Sequence, residues 1–338
     1  MSIARRGRRV LQKIVFGDTF LPQEFFLGLT DPQTEVTVWL YGMNAPLDVT
    51  CHHSMACAAP FIICIAFPDG QNPSEEDLKR LSLKFCERNG MKRALGEIGL
   101  RPTSVNRETD LLLGFFEARS STNYCLPKAR LWAHYLRHAY SRLQRPDPSD
   151  VKMSFLERRA AMVMFIRPHP VSLVSLGGET GGNIFPMNLM GDLDNGYFAF
   201  ALKNSRRAAH LVEHTRRIAL SSVPLSQGSL AYQLAVNHTR DRVEWDQLPF
   251  ATRESTVFKI PVPVFTQRVR EMEVTKVQNI GSHVFFLARI VHDEIFSPGP
   301  SLSAIHGFYQ AWRLKGHGAE LDASRAEDLV YKGSKAES

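Results

Sequence analysis

Residues 181–207 read GGNIFPMNLMGDLDNGYFAFALKNSRR, and this stretch decides the fold. It opens on a double glycine and the loop Asn183-Ile184-Phe185-Pro186-Met187-Asn188. A continuous apolar run follows, Tyr197-Phe198-Ala199-Phe200-Ala201-Leu202, which has the pattern of a strand buried on both faces. The stretch closes on a polar, cationic turn, Lys203-Asn204-Ser205-Arg206-Arg207. Ser205 there suits the N-cap of a helix running to about Leu220.

Upstream, Val171-Ser172-Leu173-Val174-Ser175-Leu176 reads as a strand ending at Gly177. The same order occurs earlier in the chain. Val36-Thr37-Val38-Trp39-Leu40-Tyr41 ends at Gly42, and Phe61-Ile62-Ile63-Cys64-Ile65-Ala66-Phe67 repeats the apolar run. The pairs 36/171, 42/177 and 66/201 share one offset of 135 over about thirty-five residues, with few identities but matched patterning. A diverged duplication predicts this, and so do two unrelated domains that share a strand-loop-strand pattern. The polar stretch Gln144-Arg145-Pro146-Asp147-Pro148-Ser149-Asp150 reads as a linker. The division is therefore 1–145, 146–325 and a flexible tail at 326–338. Residues 111–117 and 284–290 are predicted as matching later strands. Helices are predicted from Ser74 to about Arg88, from Pro127 with Leu131, Tyr135, Ala139 and Leu143 on one side, and over 303–314.

With 44% hydrophobic and 22% charged residues in 338, the composition is that of a soluble globular chain of two domains. No window approaches the apolar length of a membrane span, and Arg5-Arg6-Gly7-Arg8-Arg9 is followed by no secretory apolar run. Five cysteines without metal spacing or an export signal read as reduced thiols, so the expected location is the cytoplasm. The net charge of +7 is spread without interleaved aromatics, so no nucleic-acid partner is expected and a phosphate-bearing small molecule suits the charge better.

Such a phosphate has an obvious place. A helix start presents free N–H groups and the positive end of its dipole, and Lys203, Arg206 and Arg207 surround it. Asn183 and Asn188 can donate and accept, and the double glycine lets backbone approach closely. His210-Leu211-Val212-Glu213-His214 fits the His-x-x-Glu-His order of inverted zinc peptidases. Arg206 and Arg217 flank that helix face and disfavour a dication, so no metal is expected. His134 and His138 read as core residues.

The order of these elements resembles the flavin reductase-like split-barrel family. Its loop after the first long strand often reads Asn-Ile-Ala-Pro-Tyr-Ser, and Asn183, Ile184 and Pro186 match in order; Phe185 and Asn188 replace the small residue and the hydroxyl. The buried strand, basic turn and helix follow. Later a long strand over 268–278 leads to a Gly-x-His turn, Gly281-Ser282-His283, and another strand. The resemblance covers about 165–312. It implies a mainly β fold with flanking helices, a split β-barrel, here duplicated as two tandem barrels with a degenerate first copy. It implies FMN, with FAD as the alternative, held by Asn183, Ile184, Phe185, Pro186, Met187, Asn188, Lys203, Asn204, Ser205, Arg206 and Arg207. His283 stands at the flavin or nicotinamide edge as the catalytic candidate. NAD(P)H is then the co-substrate of an oxidoreductase similar to NAD(P)H:flavin reductases, with a small-molecule electron acceptor or a monooxygenase partner. A flavin carrier or sensor, and an oxidase similar to pyridoxamine-phosphate oxidases, are the alternatives. The first half, with Asp48-Val49-Thr50-Cys51-His52-His53-Ser54 as its loop, would serve as built-in partner in an internal pseudo-dimer, the alternative being a homodimer; His52 and His53 could face the pocket.

Overall fold

The computed structural model describes residues 24–30, 35–68, 70–88, 93–108, 111–144, 151–177, 181–317 and 323–325. The tail at 326–338 and most of the linker lie outside them. The two apolar runs are strands, Ile62–Phe67 and Tyr197–Lys203, and their lack of alternation has a clear cause. In a strand, successive side chains point to opposite faces. Ile63, Ile65 and Phe67 fill one barrel, whereas Ile62, Cys64 and Ala66 face a second apolar cluster. Phe198, Phe200 and Leu202 likewise fill the other barrel, and Tyr197 and Ala199 face that same second cluster. The shared cluster joins the two barrels, with Phe115 and Phe285 in edge-to-face contact at 5.2 Å.

Each half forms a seven-stranded sheet curled into a split barrel. The first runs Leu47–Asp48, Val36–Tyr41, Ser82–Glu87, Ala94–Glu108, Leu111–Asn123, Ile62–Phe67, His53–Cys57. The second runs Asn183–Met187, Ser172–Leu176, Arg217–Ser222, Arg268–Ile280, His283–Ile295, Tyr197–Lys203, Met190–Asp192. The order is the same strand for strand. The offset of 135 extends to Ser82–Glu87 against Arg217–Ser222. Beyond it the offset becomes 172, for Leu111–Asn123 against His283–Ile295. Even the irregularities repeat: the long hairpins slip register at Gly99/Leu100 and Pro102/Ser104, and at Glu271/Met272 and Val274/Lys276. A bulge re-aims a strand and raises its twist, so matched bulges give both hairpins the same bend.

The change of offset marks an insertion. In the first half only six residues separate Glu87 from Ala94, whereas the second spends 223–267 on short helical turns and a two-stranded ribbon, Thr252–Glu254 with Pro261–Pro263. Leu234 and Val243 seat that insertion on Leu173 and Ile184 of the second barrel. A further sheet crosses the chain's halves: Glu24–Leu29 pairs with Ser301–His306, which also pairs with His169–Pro170.

Three helices differ from expectation. The helix after Ser74 covers only Glu75–Leu78, because Leu83 and Phe85 alternate inward as a strand over Ser82–Glu87. The helix after the basic turn is Arg207–Thr215 with Arg206, not Ser205, at its N-cap. Arg216 ends it in a left-handed conformation (φ 57°), and Ile218 and Leu220 continue as strand Arg217–Ser222. The last helix is Gly307–His317, since residues 301–306 are consumed by sheet pairing. Among the described residues no helix is long and apolar enough to cross a membrane.

Candidate functional site

An open cleft of about 570 Å³ lies beside the second barrel, within the size range of small-molecule sites. Its floor is Pro186, Met187, Asn188 and Leu189 with Ala201 and Leu202; Lys203, Arg206 and His283 stand on it, and Ala235, Val236, His238 and Thr239 form the facing wall. Strand pairing builds the charged end. Lys203 and His283 are cross-strand partners, and the Lys203 carbonyl accepts from Arg206 N–H at 3.0 Å. Asn204 locks the basic turn to the Gly-x-His turn, its Nδ2 donating to the Gly281 carbonyl at 3.0 Å and its backbone N–H to the Ser282 carbonyl at 3.1 Å. No side chain caps the helix that starts after Arg206, so the positive end of its dipole supports an anion beside the two cations.

The remaining expected residues stand elsewhere. Asn183 is buried; its Nδ2 donates to the Asn237 and Arg240 carbonyls at 3.1 and 2.9 Å, and its Oδ1 accepts from Ile184 N–H at 2.7 Å. Ile184 and Phe185 are core residues. Ser205 is exposed and absent from the cleft lining, and Arg207 forms an ion pair with Asp241. His52 and His53 do not line the cleft: His53 is buried against Phe85, with Nδ1 on the Val49 carbonyl.

His238 is the residue that sequence reasoning missed. Its ring packs 4.7 Å from Phe185 and its Nε2 donates to the Pro186 carbonyl at 2.8 Å, tying the inserted wall to the loop floor. Burial first, and then the Arg206 cation, lower its pKa against a raising effect from that hydrogen bond. Burial, and next the Lys203 cation, depress His283 to about 4, so both imidazoles are neutral near pH 7.

At the matching positions the first barrel lacks the charged residues of this cleft. At the two offsets Lys203 corresponds to Pro68 and His283 to Leu111. Its short helix is closed by a Ser74/Asp77 capping box and begins Glu75, Glu76, Asp77, which would repel an anion.

The family model described as flavin reductase like domain matches residues 164–312. The second barrel is a flavin reductase like domain. No curated protein matches the chain. Among solved structures the chain is similar to an FMN-binding protein from Thermus thermophilus, at 22% identity over 38% of this chain and 71% of that one, TM-score 0.34. It is similar to the NADH:FAD oxidoreductase SgcE6 of Streptomyces globisporus, at 15% identity over 48% and 92%, TM-score 0.39. It is also similar to the styrene monooxygenase flavin reductase of Pseudomonas putida S12, at 18% identity over 42% and 90%, TM-score 0.35. The cleft, the basic turn and His283 all fall inside the flavin reductase like domain, whereas Cys57 and Ala58, which touch His283, belong to the first barrel.

Proposed function

We propose that the chain is an FMN-dependent oxidoreductase that draws on NAD(P)H and serves a small-molecule electron acceptor or a monooxygenase partner. The observation that carries this reading is one cleft holding two cations at an uncapped helix start, a donor-acceptor amide at Asn188 and a neutral imidazole at His283 over an apolar floor. That donor set fits an amphipathic ligand with an anionic tail. Lys203 and Arg206 would hold a terminal phosphate, which favours FMN over FAD, whose phosphates lie mid-molecule. Asn188 and His283 would hydrogen-bond the polar edge of the ring, and Pro186, Met187 and Val236 would shield it from water. Bound flavin supplies the hydride chemistry, and the protein supplies placement and a dry, polar setting.

Reconstitution with FMN should give a yellow protein with the absorbance of bound flavin. An anaerobic titration with NADH and then NADPH should bleach it within the time of manual mixing. A protein that stays colourless after reconstitution refutes the cofactor reading. Bound FMN that neither nicotinamide bleaches makes the chain a carrier or sensor instead.

A further inference from the structure

Cys57 and Ala58 of the first barrel approach the His283 ring that lines the cleft. Ala59 N–H donates to Ser282 Oγ at 3.2 Å, and that hydroxyl lies 2.8 Å from His283 Nδ1. Ala58 N–H points at the same Nδ1 from 3.5 Å. A backbone N–H can only donate, so Nδ1 must be the accepting nitrogen of the ring. With Nδ1 bare, the 2.8 Å contact needs Ser282 to donate its one hydrogen there, and the oxygen's two lone pairs accept from Ala59 and face the Cys57 thiol at 3.6 Å. The neutral ring therefore carries its proton on Nε2. Two features hold the arrangement in place. Ser282 N–H donates to the Ala59 carbonyl at 2.8 Å. Gly281 (φ +51°) lies so close that an added Cβ would stand 2.4 Å from Pro60 and 2.5 Å from the Ala59 carbonyl oxygen.

We propose that residues 57–60 of the first barrel, acting through Ser282, fix His283 as the Nε2–H tautomer, so that the cleft offers a ring ligand a hydrogen-bond donor rather than an acceptor. Ser282 is a positioning residue in this scheme, and the ligand atom it prepares for is a carbonyl oxygen or an unprotonated ring nitrogen. The support runs one way, because Leu111 occupies the position of His283 in the first barrel and has no ring nitrogen to orient. The charged and titratable groups facing His283 are Lys203 on the paired strand and the Cys57 thiol 3.8 Å from Nδ1, with Arg206 on the same cleft. The ligand in this inference rests on the flavin reading; the tautomer does not.

The test is ¹⁵N histidine NMR on the full chain without added flavin, with His283→Gln used to assign the signal. The expected result is a protonated Nε2 and a bare Nδ1 from pH 5 to 8. Ser282→Ala leaves on Nδ1 only the Ala58 N–H, at 3.5 Å too long to hold the ring alone, so it should admit the Nδ1–H tautomer and raise the protonation midpoint, since the lost donation favoured the neutral ring; Ser282→Thr should restore both. In a parallel FMN titration, losing one such bond should weaken binding about fivefold, with recovery in Ser282→Thr. A wild-type ring protonated on Nδ1, or a Ser282→Ala protein with unchanged tautomer and midpoint, overturns the proposal. A fixed Nε2–H tautomer in a protein that takes up no flavin supports it and refutes only the cofactor reading.

Discussion

Replacing both Lys203 and Arg206 with alanine separates the phosphate from the rest of the ligand. Both side chains are half-buried, so each keeps part of the strength of a charge-assisted hydrogen bond while losing part to solvent screening. About 1–1.5 kcal/mol each is a fair magnitude at such a site. Together they amount to about 2–3 kcal/mol, or roughly a 30- to 150-fold rise in Kd for FMN. Riboflavin lacks the phosphate, so its affinity should change less than about twofold in the same variant. The assay is quenching of flavin fluorescence, run for both ligands at low and at physiological salt, where the screening length is about 8 Å. Wild-type FMN binding should weaken as salt rises, and that slope should flatten in the variant. Equal losses for FMN and riboflavin, or an unchanged Kd for FMN, would show that the basic turn does not hold a phosphate.

Three further outcomes follow from the packing. Phe285→Ala opens a hole in the core shared by the barrels, where the ring is fully buried against Phe115; urea unfolding should show a loss of about 3–5 kcal/mol, and a loss under about 1 kcal/mol would mean that the barrels do not depend on this contact. Asn183→Ala strips donors from the buried Asn237 carbonyl and the part-buried Arg240 carbonyl and should cost about 2 kcal/mol while weakening FMN binding through the 235–239 wall; wild-type melting and binding would contradict the structural role assigned to this amide. Acid should destabilise the fold through its buried histidines. His169 and His306 are held at about 3 and His283 at about 4, in each case by burial first. The unfolded chain takes up these protons near pH 6.5 while the folded chain refuses them. Their stabilising contribution is therefore complete above pH 6.5 and erodes as pH falls toward the folded values, by about 1.4 kcal/mol per pH unit for each histidine. Urea midpoints that stay flat from pH 7 to 5 would rule this out.

The sequence made the strands legible wherever burial on two faces leaves a solid apolar run, as at 62–67 and 197–202. It was silent on why both faces are buried, because the second face is covered by the other half of the chain. Helix lengths were misread where two periods coincide. Leu78, Leu81 and Phe85 sit at spacings close to helical, yet Leu83 and Phe85 alternate as a strand, and only the neighbouring hairpin decides between them. The basic turn and the Gly-x-His turn were visible as residue types. The wall at 235–239 was not, since 223–267 folds as irregular turns without a hydrophobic period. Asn183 looked like a ligand residue for a sound chemical reason, as an amide in a glycine-flanked loop; burial turned the same donors toward Asn237 and Arg240. Ser282 read only as a turn residue, and its relation to His283 needs Ala58 and Ala59, more than two hundred positions away.

The pairing of Glu24–Leu29 with Ser301–His306 has a temporal consequence. On the ribosome the first barrel can close on its own strands, but residues 24–29 must wait for almost three hundred more to emerge before their partner exists. Until then they form an unsealed edge, the kind of surface that invites chaperone capture or mispairing between nascent chains. Closure of this sheet should therefore come last in biosynthesis, and stalling translation between the barrels should leave the early strand open to protease.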